Sequence, residues 1–183
     1  MSKSGSTKKP SAIQSAPAQT QTSGHKPTQA HWLLKSGTAK KIAKQSDGGV
    51  GYQVVSDIER QALFIRITSN LGGYFSRELV SVEKITACLS QVAKDATFPT
   101  KQLRPAFVGK STCNAGFLLA TLKDLGLVNS DPAIDGQYAT TNDAGWIAWK
   151  KSMLAEVGEL IEIEMAGGGS TPQAGNHEQG SND

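Results

Sequence analysis

The sequence predicts an α+β fold: a β-hairpin region, then three helices, a short β-element and a C-terminal helix, between disordered ends. Three observations carry that reading. Leu63, Ile65 and Ile67 alternate with Phe64, Arg66 and Thr68, the period of a half-buried strand. From Val82 the spacing turns helical, with Val82, Ile85, Cys88, Leu89 and Val92 on one face. Residues 1–29 hold no aromatic residue and one large aliphatic, Ile13, too little apolar surface to offset the entropy of ordering them.

In chain order, the first structured residues are expected from Ala30, where Trp32, Leu33 and Leu34 supply an apolar cluster. Thr38 is placed to cap a short helix carrying Lys40, Lys41, Ile42 and Lys44, and the same stretch reads equally well as a basic loop closed by Asp47-Gly48-Gly49. Tyr52 to Val55 pairs with the Leu63 strand as a hairpin through Ser56 to Gln61. Asn70-Leu71-Gly72-Gly73 turns the chain, and Tyr74 and Phe75 are expected to enter the core. Ser81 caps a helix running to about Lys94. After Phe98-Pro99, Thr100 caps a short second helix that Pro105 limits.

Ser111 or Thr112 then caps a third helix, with Ala115, Leu118, Leu119, Leu122 and Leu125 as its apolar stripe and Gly126 as its stop. Leu127-Val128 starts a strand, Asn129 to Gly136 is a loop, and Gln137 to Thr141 returns through Tyr138. Asn142 or Asp143 caps a last helix carrying Trp146, Trp149, Met153, Leu154 and Val157, with a fraying acidic continuation to Met165. The resulting organisation is a disordered basic tail (1–29), a basic segment and hairpin (30–81), a helical domain (82–165) and a second disordered tail (166–183).

Ser111-Thr112, the run FLLATLKDLGLV from Phe117 and YATTNDAGWIAW from Tyr138 give residues 82–158 a resemblance to the winged-helix DNA-binding superfamily. The resemblance covers less than half of the chain. It implies a third helix that enters the major groove and a wing that reaches the neighbouring backbone. On that helix the face opposite the leucines holds Thr112, Cys113, Asn114, Gly116, Phe117 and Ala120. Asn114 suits an adenine edge, Thr112 a thymine, and Lys110 and Ser111 a phosphate. Cys113 and Phe117 fit a second packed side instead, and the helix then reads nothing.

Charge sharpens the choice. Met1 to Arg66 carries ten Lys/Arg against three acids, whereas the stretch from Glu159 onward carries five acids and no base. The loop from Asp131 to Asn142 has no Lys or Arg, so it adds little to phosphate neutralisation. The expected nucleic-acid contacts are therefore Lys35, Lys40, Lys41, Lys44, Arg60 and Arg66, with Lys3, Lys8, Lys9 and Lys26 as an extension and Lys110, Ser111, Thr112 and Asn114 on the third helix. Trp32, Tyr52 and Tyr74 either stack on bases or belong to the core.

GKST at Gly109 to Thr112 does not make a phosphate loop, because Arg104 stands where its first glycine is required. No histidine pair or cysteine cluster has metal-ligand spacing, and nothing pairs a nucleophile with a base. Neither cofactor, metal, small-molecule substrate nor enzymatic activity is expected. No apolar stretch approaches a membrane span. Cys88 and Cys113 read as free, buried thiols of a reducing cytoplasm. The expected function is DNA binding of bacterial type, regulatory or accessory to replication or transfer. The alternative is a winged helix used for protein interaction or dimerisation, docking through Cys113 and Phe117.

Overall fold

The computed structural model describes residues 27–43, 48–71, 74–93, 95–109 and 111–164. In chain order they form β1 (Thr28–Lys40), β2 (Gly49–Ser56), β3 (Leu63–Asn70), β4 (Val80–Ser81), α1 (Val82–Leu89) and β5 (Phe98–Pro99). A 3-10 helix (Thr100–Ala106), α2 (Thr112–Asp124), β6 (Val128–Ser130), β7 (Gln137–Thr140), α3 (Asp143–Ala155) and β8 (Glu159–Glu164) follow. A five-stranded antiparallel sheet has the order β4-β3-β2-β1-β8, and a three-stranded sheet the order β5-β7-β6. The fold is mixed α+β.

The β2–β3 hairpin follows from its alternation. Tyr52, Val54 and Ser56 sit opposite Ile67, Ile65 and Leu63, and all six are buried. One face of this hairpin therefore belongs to the core, which makes its register costly to slip. Asp57 closes the connection by accepting from the backbone N–H groups of Gln61 and Ala62.

α2 sits between the two sheets. It packs against the 3-10 helix and β6, and also against β1 and β2. Its buried residues are Asn114, Ala115, Leu118, Leu119, Ala120, Thr121 and Leu122, an arc much wider than a single stripe. A single apolar cluster joins β2, β3, α1, α2, β6, β7 and α3. Gly126, at φ +72°, ends the helix in the left-handed conformation that favours glycine. The Leu127 N–H bonds back to the Leu122 carbonyl there.

Several elements differ from the sequence expectation. The stretch expected as a short helix or basic loop after Thr38 lies in β1 as far as Lys40. β1 gains ladders on both sides, to β2 and to β8, and this non-local pairing outweighs the local helical preference of Thr-Ala-Lys-Lys. It also draws Thr28 and Gln29 out of the segment expected to be disordered. The acidic continuation expected to fray from α3 is β8, whose Glu159–Glu164 pairs with Thr28–Leu33.

α1 ends at Leu89 rather than near Lys94, which lies outside the described residues. Its Ser81 cap forms, the hydroxyl accepting from Lys84 N. In the 3-10 helix Pro99, not Thr100, takes the cap position, and Pro105 lies inside the helix. α3 stops at Ala155, so Val157 falls outside it and is 98% exposed. Tyr74 is 74% exposed rather than in the core, whereas Phe75 packs partly against the core. Cys88 is buried, but Cys113, expected to be buried too, is exposed.

Candidate nucleic-acid interface

The strand register sorts the residues of the large sheet into two faces. Gly37, Tyr52 and Ile67 lie in one row, on the face covered by α2. The ring of Tyr52 lies over Gly37, where a Cβ atom would come within 2.5 Å of it. Its hydroxyl donates to Asp124 Oδ2 at 2.7 Å, joining β2 to the last residue of α2. Burial first, then the hydrogen bond and charge of Asp124, hold the Tyr52 hydroxyl protonated well above its usual range.

The intervening rows place Ser36 opposite Gln53 and Gln53 opposite Arg66, then Thr38 opposite Gly51 and Lys40 opposite Gly49. Ser36, Thr38 and Lys40 are exposed, and Gln53 and Arg66 half-buried. None of these residues is acidic, and most are small or polar. The opposite end of the same face is apolar: Leu33, Val55 and Phe64 are successive partners, and His31 meets the ring of Phe64 edge-on at 6.0 Å.

The remaining expected contacts are distributed over different roles. Lys35 is exposed next to the β1 bulge between Leu33 and Lys35. Lys41 is half-buried, its Nζ donating to the Leu71 carbonyl. Arg60 donates through Nη1 to the carbonyls of Leu154 and Glu156 and lies 5.1 Å from the centre of the Trp32 ring. It thus caps the end of α3 and braces Trp32, a structural role for a cation at a helix C-terminus. Lys44 and Lys110, with Lys3, Lys8, Lys9 and Lys26, lie outside the described residues.

On α2, Ser111 occupies the cap position without a side-chain cap bond, and Ser111, Thr112 and Cys113 are exposed. Asn114 is only 2% exposed, its Oδ1 accepting from Ser76 N at 3.1 Å, so its amide does not present itself to a base edge. Phe117 packs partly against the core. The two fates proposed for this helix face are thus divided along its length: open at its first turn, packed beyond it.

The loop before α2 carries its own anion. Glu78 accepts from Val108 N at 2.8 Å, Gly109 N at 3.0 Å and Ser76 Oγ at 2.6 Å. Burial opposes its ionised form, but these bonds and the charge of Lys84 outweigh that and lower its pKa. The N–H groups that a bound phosphate could use are already taken.

Sequence reasoning missed Arg77, on the extended stretch leading into β4 and near enough to Arg66 to act on its charge. The signal was the continued alternation Arg77, Leu79, Ser81 against Glu78, Val80 and Val82. Among the described residues, no group of His, Cys, Asp and Glu is placed to hold a metal ion, and no helix is long and apolar enough to cross a membrane. The chain matches no protein-family model, and no curated protein or solved structure is similar to it.

Proposed function

We propose that this chain binds nucleic acid, DNA foremost, as a regulatory or accessory protein of replication or transfer. Residues 82–158 are read as a winged helix. The order α1, 3-10 helix, α2, β6, β7, and the pairing of β5 with β7, support that reading. In this proposal the third helix of the winged helix, α2, is mainly a scaffold, because Asn114 is turned inward to Ser76 and Phe117 packs partly against the core, leaving only its first turn open. The single observation that carries the proposal is the acid-free, polar end of the outer face of β1–β3, with Lys40 and Arg66 on it. It belongs to the same Met1–Arg66 stretch in which basic residues exceed acids by seven. Phosphate neutralisation supplies most nonspecific affinity, so charge placed on an open polar face is the relevant quantity.

The test is anisotropy with labelled single- and double-stranded oligonucleotides on the full chain. Affinity is expected to fall steeply from low to moderate salt, and Lys40→Glu, alone or with Lys35→Glu, to weaken it by about tenfold or more. Absence of binding to either oligonucleotide at low salt would sink the proposal.

A second reading, protein interaction or dimerisation, is favoured by a different observation. Val157 is 98% exposed, Leu160 56% and Ile58 44%, around Trp32, whose Nε1 donates to the Ile58 carbonyl and whose strand partner is Leu160. This patch, and not Phe117, is where that reading places the contact. Sedimentation at rising concentration tests the dimer form: Leu160→Asp should abolish any self-association, and an unchanged monomer at all concentrations counts against it.

A further inference from the structure

β8 is the outermost strand of the large sheet, and its ladder runs to β1 alone. The pairs from Thr28–Glu164 to Leu33–Glu159 are in continuous register, without a bulge. The backbone N–H and C=O groups of alternate β8 residues therefore point away from the sheet, a template for one more strand. Its sequence, Glu-Leu-Ile-Glu-Ile-Glu, has no lysine or proline to blunt that edge. Leu160, Glu162 and Glu164 lie on one face of the strand, and Glu159, Ile161 and Ile163 on the other. Ile163 is buried, whereas Glu159, Leu160, Glu162 and Glu164 are exposed. Glu164 lines a depression with Arg77 and Lys84. Among the described residues the carboxylates of Glu159 and Glu162 have neither an ion pair nor a hydrogen bond. Between them Leu160 stands opposite Trp32, whose indole N–H donates to the Ile58 carbonyl, so exposed apolar surface sits within the acidic edge.

Charge decides what fills this edge. A second copy of β8 brings six carboxylates onto one strand pair, and the fully overlapping antiparallel register sets Glu159 opposite Glu164 at both ends. Like charges directly opposite each other destabilise such a pair. We infer that β8 is a docking edge for an extended basic segment of a partner protein, which adds to the sheet as a further strand. The complement of Glu159, Leu160 and Glu162 has Lys or Arg opposite each carboxylate and an aliphatic side chain opposite Leu160. In sequence that is two cations three positions apart with an apolar residue between them. The inference rests on the protein-interaction reading above and gives it a partner class.

The probe is the end-blocked hexapeptide TKVVKT, which meets that pattern in either strand direction, with TEVVET as its control. Each is titrated into the isotope-labelled full-length protein, as wild type and as the double variant Glu159→Lys, Glu162→Lys, and backbone amide shifts are followed. Both substituted side chains are exposed, and the variant's own spectrum reports that it is folded. TKVVKT is expected to shift the amides of Glu159–Glu164 and of the paired Thr28–Leu33. TEVVET is expected to bind wild type about tenfold more weakly or worse, and the preference is expected to reverse in the double variant.

Equal binding of the two peptides to wild type, or TKVVKT shifts that lie away from β8 and β1, overturns the inference. So does the absence of any shift with TKVVKT at millimolar concentration. If sedimentation then shows self-association that Leu160→Asp abolishes, the interaction reading stands with a second copy as the partner. A monomer at all concentrations, together with silent peptides, removes both.

Discussion

One hydroxyl–carboxylate contact, Tyr52 to Asp124 at 2.7 Å, ties the large sheet to the end of the helix packed beneath it. Tyr52→Phe should lower stability by about 1 kcal/mol, the net value of such a bond, as read from the urea midpoint. Gly37→Ala should cost more, roughly 1–3 kcal/mol, since its Cβ would meet the Tyr52 ring. The proton matters too. A pKa raised in the folded state means that this stability is full below the ordinary tyrosine value of 10.0 and is lost as pH climbs through the raised one. Tyr52→Phe should therefore narrow its deficit relative to wild type in strongly alkaline solution. Glu78 works with the opposite sign. Its folded pKa lies below the ordinary 4.5, so its contribution is full above that value and fades as pH falls through the lower one. Glu78→Gln should cost about 1 kcal/mol at neutral pH, allowing for solvent around a partly exposed group, and the gap to wild type should close in acid.

At the scale of elements, what was legible in the sequence is what is locally determined. The β2–β3 hairpin announces itself by alternation, α2 by its leucine spacing with Gly126 behind it, and α3 by Asn142, whose Oδ1 accepts from Gly145 N. β1 and β8 were not legible, because their partners lie more than a hundred residues apart, Thr28 against Glu164. The sequence Glu-Leu-Ile-Glu-Ile-Glu looks like an acidic helix end until β1 lies beside it. Ile163, buried, is the residue that rewards the pairing, and Ile163→Ala should lower stability by about 2 kcal/mol by the same urea measurement. A result near zero would mean that β8 contributes no packing. The candidate site was half legible for the same reason. Lysine counts located the basic region, but only the register separates Lys40 and Arg66, on the open face, from Arg60, spent on the α3 carbonyls. Nothing local says that Asn114 turns inward to meet Ser76.

For the molecule as a whole, the burial of α2 moves the proposed work from a helix to a sheet. A winged helix that reads DNA needs its third helix free on one side. Here Asn114 turns inward to Ser76 and Phe117 packs partly against the core, so only the first turn is open, whereas the outer face of β1–β3 near Lys40 and Arg66 is polar and free of acid. Acidic residues lie on β8, whose Glu164 shares a depression with Arg77 and Glu78, and in the β6–β7 loop. The most direct test of this account is the map of backbone amide shifts when a short oligonucleotide is titrated into the labelled protein. Shifts concentrated at Ser36 to Lys40, Gln53 and Arg66 are the predicted result. Shifts concentrated at Thr112 to Phe117 and in the loop from Asp131 to Gly136, with the sheet silent, would contradict it.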